Sequence, residues 1–175
     1  MNHSTTFKST FLAGLLAASL GVCAQGAPSA SDKTFVTKAA VGGMAEVELG
    51  KLAQQKAASD QVKQFGSHMV DDHTKVNDEL KQIAGAKNVA LPTSLDAKHQ
   101  AAMAKLQKLS GASFDRAYMA EMQKDHKETI ALFERESRSG KDADLKGFAT
   151  KTLPNLKDHL KMVQETMTSM KTASR

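Results

Sequence analysis

The 175-residue sequence has no tryptophan, one tyrosine, three prolines and a single cysteine, and aromatics make up 5% of it. β-Branched residues are thinly spread, and Ala, Lys, Leu, Gln, Glu and Met dominate. These are helix formers, so the composition argues for an all-α protein of one domain. No Gly-rich phosphate loop and no Gly-x-Ser-x-Gly elbow occurs. There is also no Lys/Arg block interleaved with aromatics, so nucleic acid is not an expected partner. The formal net charge is only +5, with both signs interspersed. Weak attraction to an anionic envelope surface is compatible with that balance.

The one long charge-free apolar run is Phe11 to Ala24, behind a polar start with a single cation, Lys8. It is too short and too rich in Gly and Ala to anchor a helix in a bilayer. Small residues at Val22-Cys23-Ala24 suit a signal peptidase, with a second such site after Gly26. Residues 1–24 are therefore expected to be a cleavable export signal and the mature chain periplasmic. Val22 stands where a lipobox needs a small residue, so a lipoprotein is not expected. Cleavage after Ala24 removes the only Cys, which excludes disulfides, thiolate ligands and a Cys nucleophile from the mature chain. It removes Lys8 as well, lowering the net charge by one.

Residues 25–31 form a short linker, 32–171 a helical domain and 172–175 a tail. Ser31 or Asp32 can cap a first helix running to about Ala57. Ser59-Asp60 opens a second, ending near Ala84 before a loop from Gly85 to Thr93. Ser94 can cap a short helix from about Leu95 to Leu109. Ser113 opens another, Phe114 to about Arg138, and Asp142 the last, to about Met170. The expectation is two antiparallel hairpins joined by a long crossover carrying its own short helix, the layout of a ferritin-like four-helix bundle. An open helical array is the alternative. Apolar stripes at steps of three and four support the packing. They comprise Val62, Phe65, Met69, Val76, Leu80 and Ile83, then Phe114, Met119, Met122, Ile130 and Phe133, then Leu145, Phe148, Leu156, Val163 and Met167. Pro154 falls inside the last helix, where a kink is expected.

Histidines interrupt these stripes. Asp72-His73, Asp125-His126 and Asp158-His159 each lie near the middle of one long helix, with the His at core spacing. Glu46 and Glu48 lie at similar depth on the first helix. If the helices pack in register, imidazole and carboxylate converge in a low-dielectric interior, where a charge must be paired or bound to a cation. His73, His126, His159 and Glu46 are the candidate ligands for a divalent transition ion, with Zn, Cu, Fe or Ni suited to imidazole. Glu48, His68 and Asp72 are the candidate additional or supporting groups. The same residues could instead brace the interior by hydrogen bonds without a metal. His99, in the short helix, is expected at the surface, and the methionines at stripe spacing are expected to fill the core. Neighbours on a helix point about 100° apart, so an Asp need not serve the His beside it.

Four segments together resemble the DUF4142 family of exported bacterial proteins. Met44-Ala45-Glu46-Val47-Glu48-Leu49-Gly50-Lys51-Leu52-Ala53 is similar to its first motif, and Phe65 with Met69-Val70-Asp71-Asp72-His73-Thr74-Lys75 to its second. Leu109-Ser110-Gly111 with Phe114-Asp115-Arg116-Ala117-Tyr118 and His126 resembles the third. Leu153-Pro154-Asn155-Leu156 with His159-Leu160 resembles the fourth. The resemblance covers about Thr34 to Met167 and implies a ferritin-like four-helix fold, with Glu46, His73, His126 and His159 as the motif positions. It implies no activity, since the family's function is unknown. Di-iron ferritin-like oxidases use Glu-x-x-His on two helices. Val70 stands three residues before His73 and Leu156 three before His159, so a ferroxidase or oxidase centre does not match. The expected role is a periplasmic protein of envelope or stress physiology, holding a metal ion at a mid-bundle His/Glu layer. The alternative is a metal-free structural or interaction protein, with an envelope protein or anionic surface as its partner.

Overall fold

The computed structural model describes Met1 and residues 27–173; the expected export signal, its cleavage sites and Cys23 lie outside the described segment. Among the described residues there are five helices and no strand: α1 (Ala30–Lys56), α2 (Asp60–Ala86), α3 (Ala97–Gln107), α4 (Gly111–Ser139) and α5 (Ala143–Ala173). None is long and apolar enough to cross a membrane. The four long helices pack in a ring, α1 against α2, α2 against α5, α5 against α4 and α4 against α1, with α3 laid over α1 and α4. Contacts fix the directions. Gly50 faces Gly66 and Gly43 faces Asn77, so α1 and α2 are antiparallel. Phe133 meets Phe148 and His126 meets His159, so α4 and α5 are antiparallel too. Each hairpin turns within three residues, 57–59 and 140–142. The crossover is long because it must travel back along the assembly before α4 can start beside the end of α1.

Local chemistry sets the helix ends, and it moves several expected boundaries. α1 begins two residues early because Ser29, not Ser31, is its cap: the Ser29 hydroxyl accepts from the Asp32 amide and the Asp32 carboxylate accepts from the Ser29 amide. Asp96, not Ser94, caps α3, accepting from the His99 amide, so that helix is shorter than expected. α2 runs through Gly85 to Ala86, and α4 starts at Gly111, ahead of Ser113. Asp142 does cap α5, accepting from the Asp144 and Leu145 amides. The Ser59 hydroxyl makes no cap bond. Asp115 of α4 replaces it, its carboxylate accepting from the Ala58 and Ser59 amides at 3.1 and 2.9 Å. α5 continues through Pro154.

The stripes face inward as expected, and the interior divides into two apolar regions. One surrounds Phe35, Phe133 and Phe148, whose rings lie 5.0–6.3 Å apart. The other surrounds Phe65, Phe114 and Tyr118, at 5.6–6.1 Å. Every aromatic residue after Phe11 belongs to one of these two groups. Between them lies a polar waist.

Candidate metal centre

Each long helix contributes one buried polar side chain to the waist: Glu46 from α1, His73 from α2, His126 from α4 and His159 from α5. The spacing explains how. Met69, His73, Val76 and Leu80 share one face of α2, as do Met122, His126, Ile130 and Phe133 on α4 and Leu156, His159 and Val163 on α5. A helix that buries its apolar stripe must bury these histidines with it. They are only 1–4% exposed.

The three rings form a triangle, with centroids 5.3–5.8 Å apart. One ring nitrogen from each lies within 4.8 Å of the others. The hydrogen bonds fix which nitrogens point inward. His126 Nδ1 is 2.9 Å from the Met122 carbonyl, which can only accept, so Nδ1 carries the proton. His159 Nε2 is 3.1 Å from Asp72 Oδ2 and donates to that carboxylate. In the neutral rings, His126 Nε2 and His159 Nδ1 then both present lone pairs, and they face each other at 3.4 Å. His73 Nε2 is buried in the same layer with no partner among the described residues.

Electrostatics keep the rings neutral. Burial holds His73 well below its ordinary value, and its proximity to His126 and His159 adds to that. Burial, then His159, pushes His126 down to about 4. Burial lowers His159 as well, although Asp72 opposes it. Burial acts to raise Asp72, but the His159 hydrogen bond and the neighbouring His68 outweigh it and hold the carboxyl below its usual value.

Glu46 stands behind His126 and outside the converging nitrogens: its Oε1 is 3.5 Å from Nδ1, the outward nitrogen. Among the described residues its Oε2 has no partner, and neither does the buried Tyr118 hydroxyl. Burial, with Asp125 and Glu121 adding repulsion, raises the Glu46 carboxyl well above its ordinary value. Glu48 is not part of the layer; it is exposed and paired with Lys51 at 2.9 Å. Residues two apart on a helix point about 200° apart, so Glu46 and Glu48 cannot both face in. The three Asp-His pairs diverge as well. Asp72 serves His159 on the neighbouring helix, Asp125 is buried against Lys98 of α3 at 2.8 Å, and Asp158 is exposed. His68 lies at the outer edge, its Nε2 3.1 Å from Asp72 Oδ2. His99, expected at the surface, has a side chain only 11% exposed and pairs with Asp96 at 2.6 Å.

Sequence reasoning missed a buried carboxyl pair, Asp32 and Glu136, remote from the waist. Burial and the Asp32 charge push the Glu136 carboxyl up to about 7.

Three converging neutral imidazoles, two of them with facing lone pairs and an acceptor on the other ring nitrogen, match the way proteins orient metal-ligating histidines. The 3.4 Å separation equals the edge of a tetrahedron with metal–nitrogen bonds of about 2.1 Å, which is roughly 3.4 Å. No curated protein and no solved structure matches the chain. A family model described as a domain of unknown function, DUF4142, matches residues 17–166, and the chain belongs to that family.

Proposed function

We propose that this DUF4142 protein is a periplasmic, ferritin-like four-helix bundle that holds one divalent transition-metal ion on His73, His126 and His159. The observation that carries the reading is the facing pair His126 Nε2 and His159 Nδ1. Two buried lone pairs at 3.4 Å repel unless an electrophile lies between them. A bridging proton would make one ring an imidazolium, which burial disfavours at both. A cation bound by both, and by the unpartnered His73 Nε2, satisfies all three.

The charges also balance. A dication in a dry interior needs two negative charges nearby. Asp72, behind His159, supplies one, and Glu46, behind His126, becomes the second once the ion arrives. These carboxylates sit on the outward nitrogens, the usual supporting position for ligating histidines. The converging donors are all imidazole, which suits Cu, Zn, Ni or Fe as a single ion, with Cu bound most strongly, rather than a carboxylate-bridged di-iron pair. Rings 1–4% exposed leave no room for a substrate, which supports binding or storage over turnover.

Elemental analysis of untagged protein, supplied with each metal and freed of loose ions, tests the reading. About one ion per chain is expected, lost in H73A and H126A. An ion at about a hundredfold over its Kd adds about 2.7 kcal/mol of stability, so the melting temperature rises on loading. Protein that retains no ion after supply of all four metals, with no shift in melting, refutes it.

A further inference from the structure

His68, Asp72 and His159 form a second group of converging donors, with one ligand atom of each within 4.8 Å of the others. It lies directly outside the buried centre and shares His159 with it. Asp72 Oδ2 is 3.1 Å from His68 Nε2 and 3.1 Å from His159 Nε2. The His68 and His159 rings are 5.4 Å apart. The side chains grade from water to interior: His68 is 47% exposed, Asp72 19% and His159 1%. His68 also lines a surface groove between α2 and α5, beside Phe65, Met162 and Glu165.

We infer that His68 and Asp72 form an outer divalent-cation site through which the buried centre is loaded. The inference rests on the buried-site reading above. A centre closed by four helices needs a route for a hydrated ion, which gives up its waters only when protein ligands replace them. His68 nitrogen and Asp72 oxygen offer the first two replacements at the surface, and the Asp72 charge draws the cation in. His159 touches both stations, its Nε2 on the Asp72 side and its Nδ1 toward His126. The other contacts of Asp72 do not block the site. Lys75 lies 3.5 Å from Oδ1 on a side chain 76% exposed, free to swing away, and the Asn155 amide reaches Oδ2 only at 3.4 Å. The elements thus form a line from solvent to centre without a break.

Co2+ uptake by metal-free protein, followed in stopped flow by the visible absorption of the bound ion, tests this. In the wild type the observed rate saturates with rising Co2+, because the ion first occupies the outer site. In H68A, and in H68Q should the first be poorly folded, the rate is expected to fall about tenfold or more and to become linear in Co2+, with the final spectrum unchanged. H99A, at a partly buried His paired to an Asp elsewhere, loads at the wild-type rate. A wild-type rate in both His68 variants overturns the inference and leaves the buried centre standing. So does an altered final spectrum, which would make His68 a support of the centre itself. A wild type that develops no Co2+ absorption overturns the inference, and the buried centre falls with it only if Zn, Cu, Fe and Ni are not retained either.

Discussion

Taking the metal-free protein from about pH 7.5 to about pH 5 is expected to cost it about 2 kcal/mol through His126 alone. Burial, and then His159, lowers the pKa of that ring from 6.5 to about 4. As pH falls below 6.5 the unfolded chain takes up a proton that the folded chain refuses until near 4. The unfolded state binds more protons throughout that window, so stability falls as pH falls through it and is fully present above it. Each pH unit crossed costs about 1.4 kcal/mol, and pH 5 lies about 1.5 units into the window. His73 and His159, also depressed, act in the same direction. Glu46 and Glu136 act in the opposite one. Burial raises the Glu46 carboxyl well above its ordinary value, and burial with the Asp32 charge raises that of Glu136 from 4.5 to about 7. The folded chain keeps these protons where the unfolded chain has lost them, so their contribution to stability grows as pH falls. The measurement therefore belongs in an E46Q/E136Q background, where each amide keeps the shape of the protonated carboxyl and does not titrate. Urea denaturation with chelator present should show a midpoint that drops steadily below about pH 6.5 at constant m. Adding H126Q should flatten the drop by one proton. A midpoint that stays level down to about pH 5, or an H126Q slope equal to its parent's, would refute the claim that His126 is held neutral in the waist.

Three further outcomes follow from the packing. E136Q by itself should stabilise the protein by about 3 kcal/mol at about pH 8, where the wild-type carboxylate is ionised beside Asp32, and by under about 1 kcal/mol at about pH 5; equal effects at both would contradict the raised carboxyl. D115A should cost about 2–3 kcal/mol, because the Ala58 and Ser59 amides lose their acceptor and the Ser59 hydroxyl makes no cap bond; chemical denaturation reads the loss. G66A should cost about 1–3 kcal/mol, since its new methyl would lie 2.8 Å from the Gly50 carbonyl and the Ala53 Cβ, whereas G147A, with open space around it, should gain about 0.5–1 kcal/mol, and the same melts compare the two.

The histidine layer was legible because a helix has one period: steps from Met69 to His73 to Val76 oblige the ring to go where its apolar neighbours go. The choice between Glu46 and Glu48 was not, because both sat among apolar residues and only the packing of α1 on α4 decided which one turned in. The α1 cap is readable in the sequence, since Ser29 and Asp32 have the capping-box spacing and Ser31 has no such partner three residues on. What lay beyond reach were pairings across the fold. Asp72 with His159 spans 87 residues, and Asp115 with Ser59 spans 56. Nothing in the pattern near Asp115 marks it as the cap of a different helix. The Asp32–Glu136 pair is hidden for the same reason, since each residue sits in a helix terminus rich in ordinary surface charge.

The scarcity of aromatics bears on how such a waist persists. Five phenylalanines and one tyrosine are divided three and three between the apolar regions on either side of it. Burying each phenylalanine contributes about 1.5–3 kcal/mol, so the two ends carry roughly 10 kcal/mol of burial before any aliphatic is counted. A neutral imidazole layer between them costs a few kcal/mol in unsatisfied nitrogens, a smaller sum. The ends can therefore hold four helices in register while the middle stays polar and preorganised. Register is what a metal centre built from three different helices requires. A waist filled with leucine would satisfy the same ends, so on the metal-binding reading proposed above the histidines serve the ion rather than the stability of the metal-free chain. The facing lone pairs of His126 and His159, each ring held by an acceptor on its other nitrogen, are then an arrangement that gains when a cation arrives.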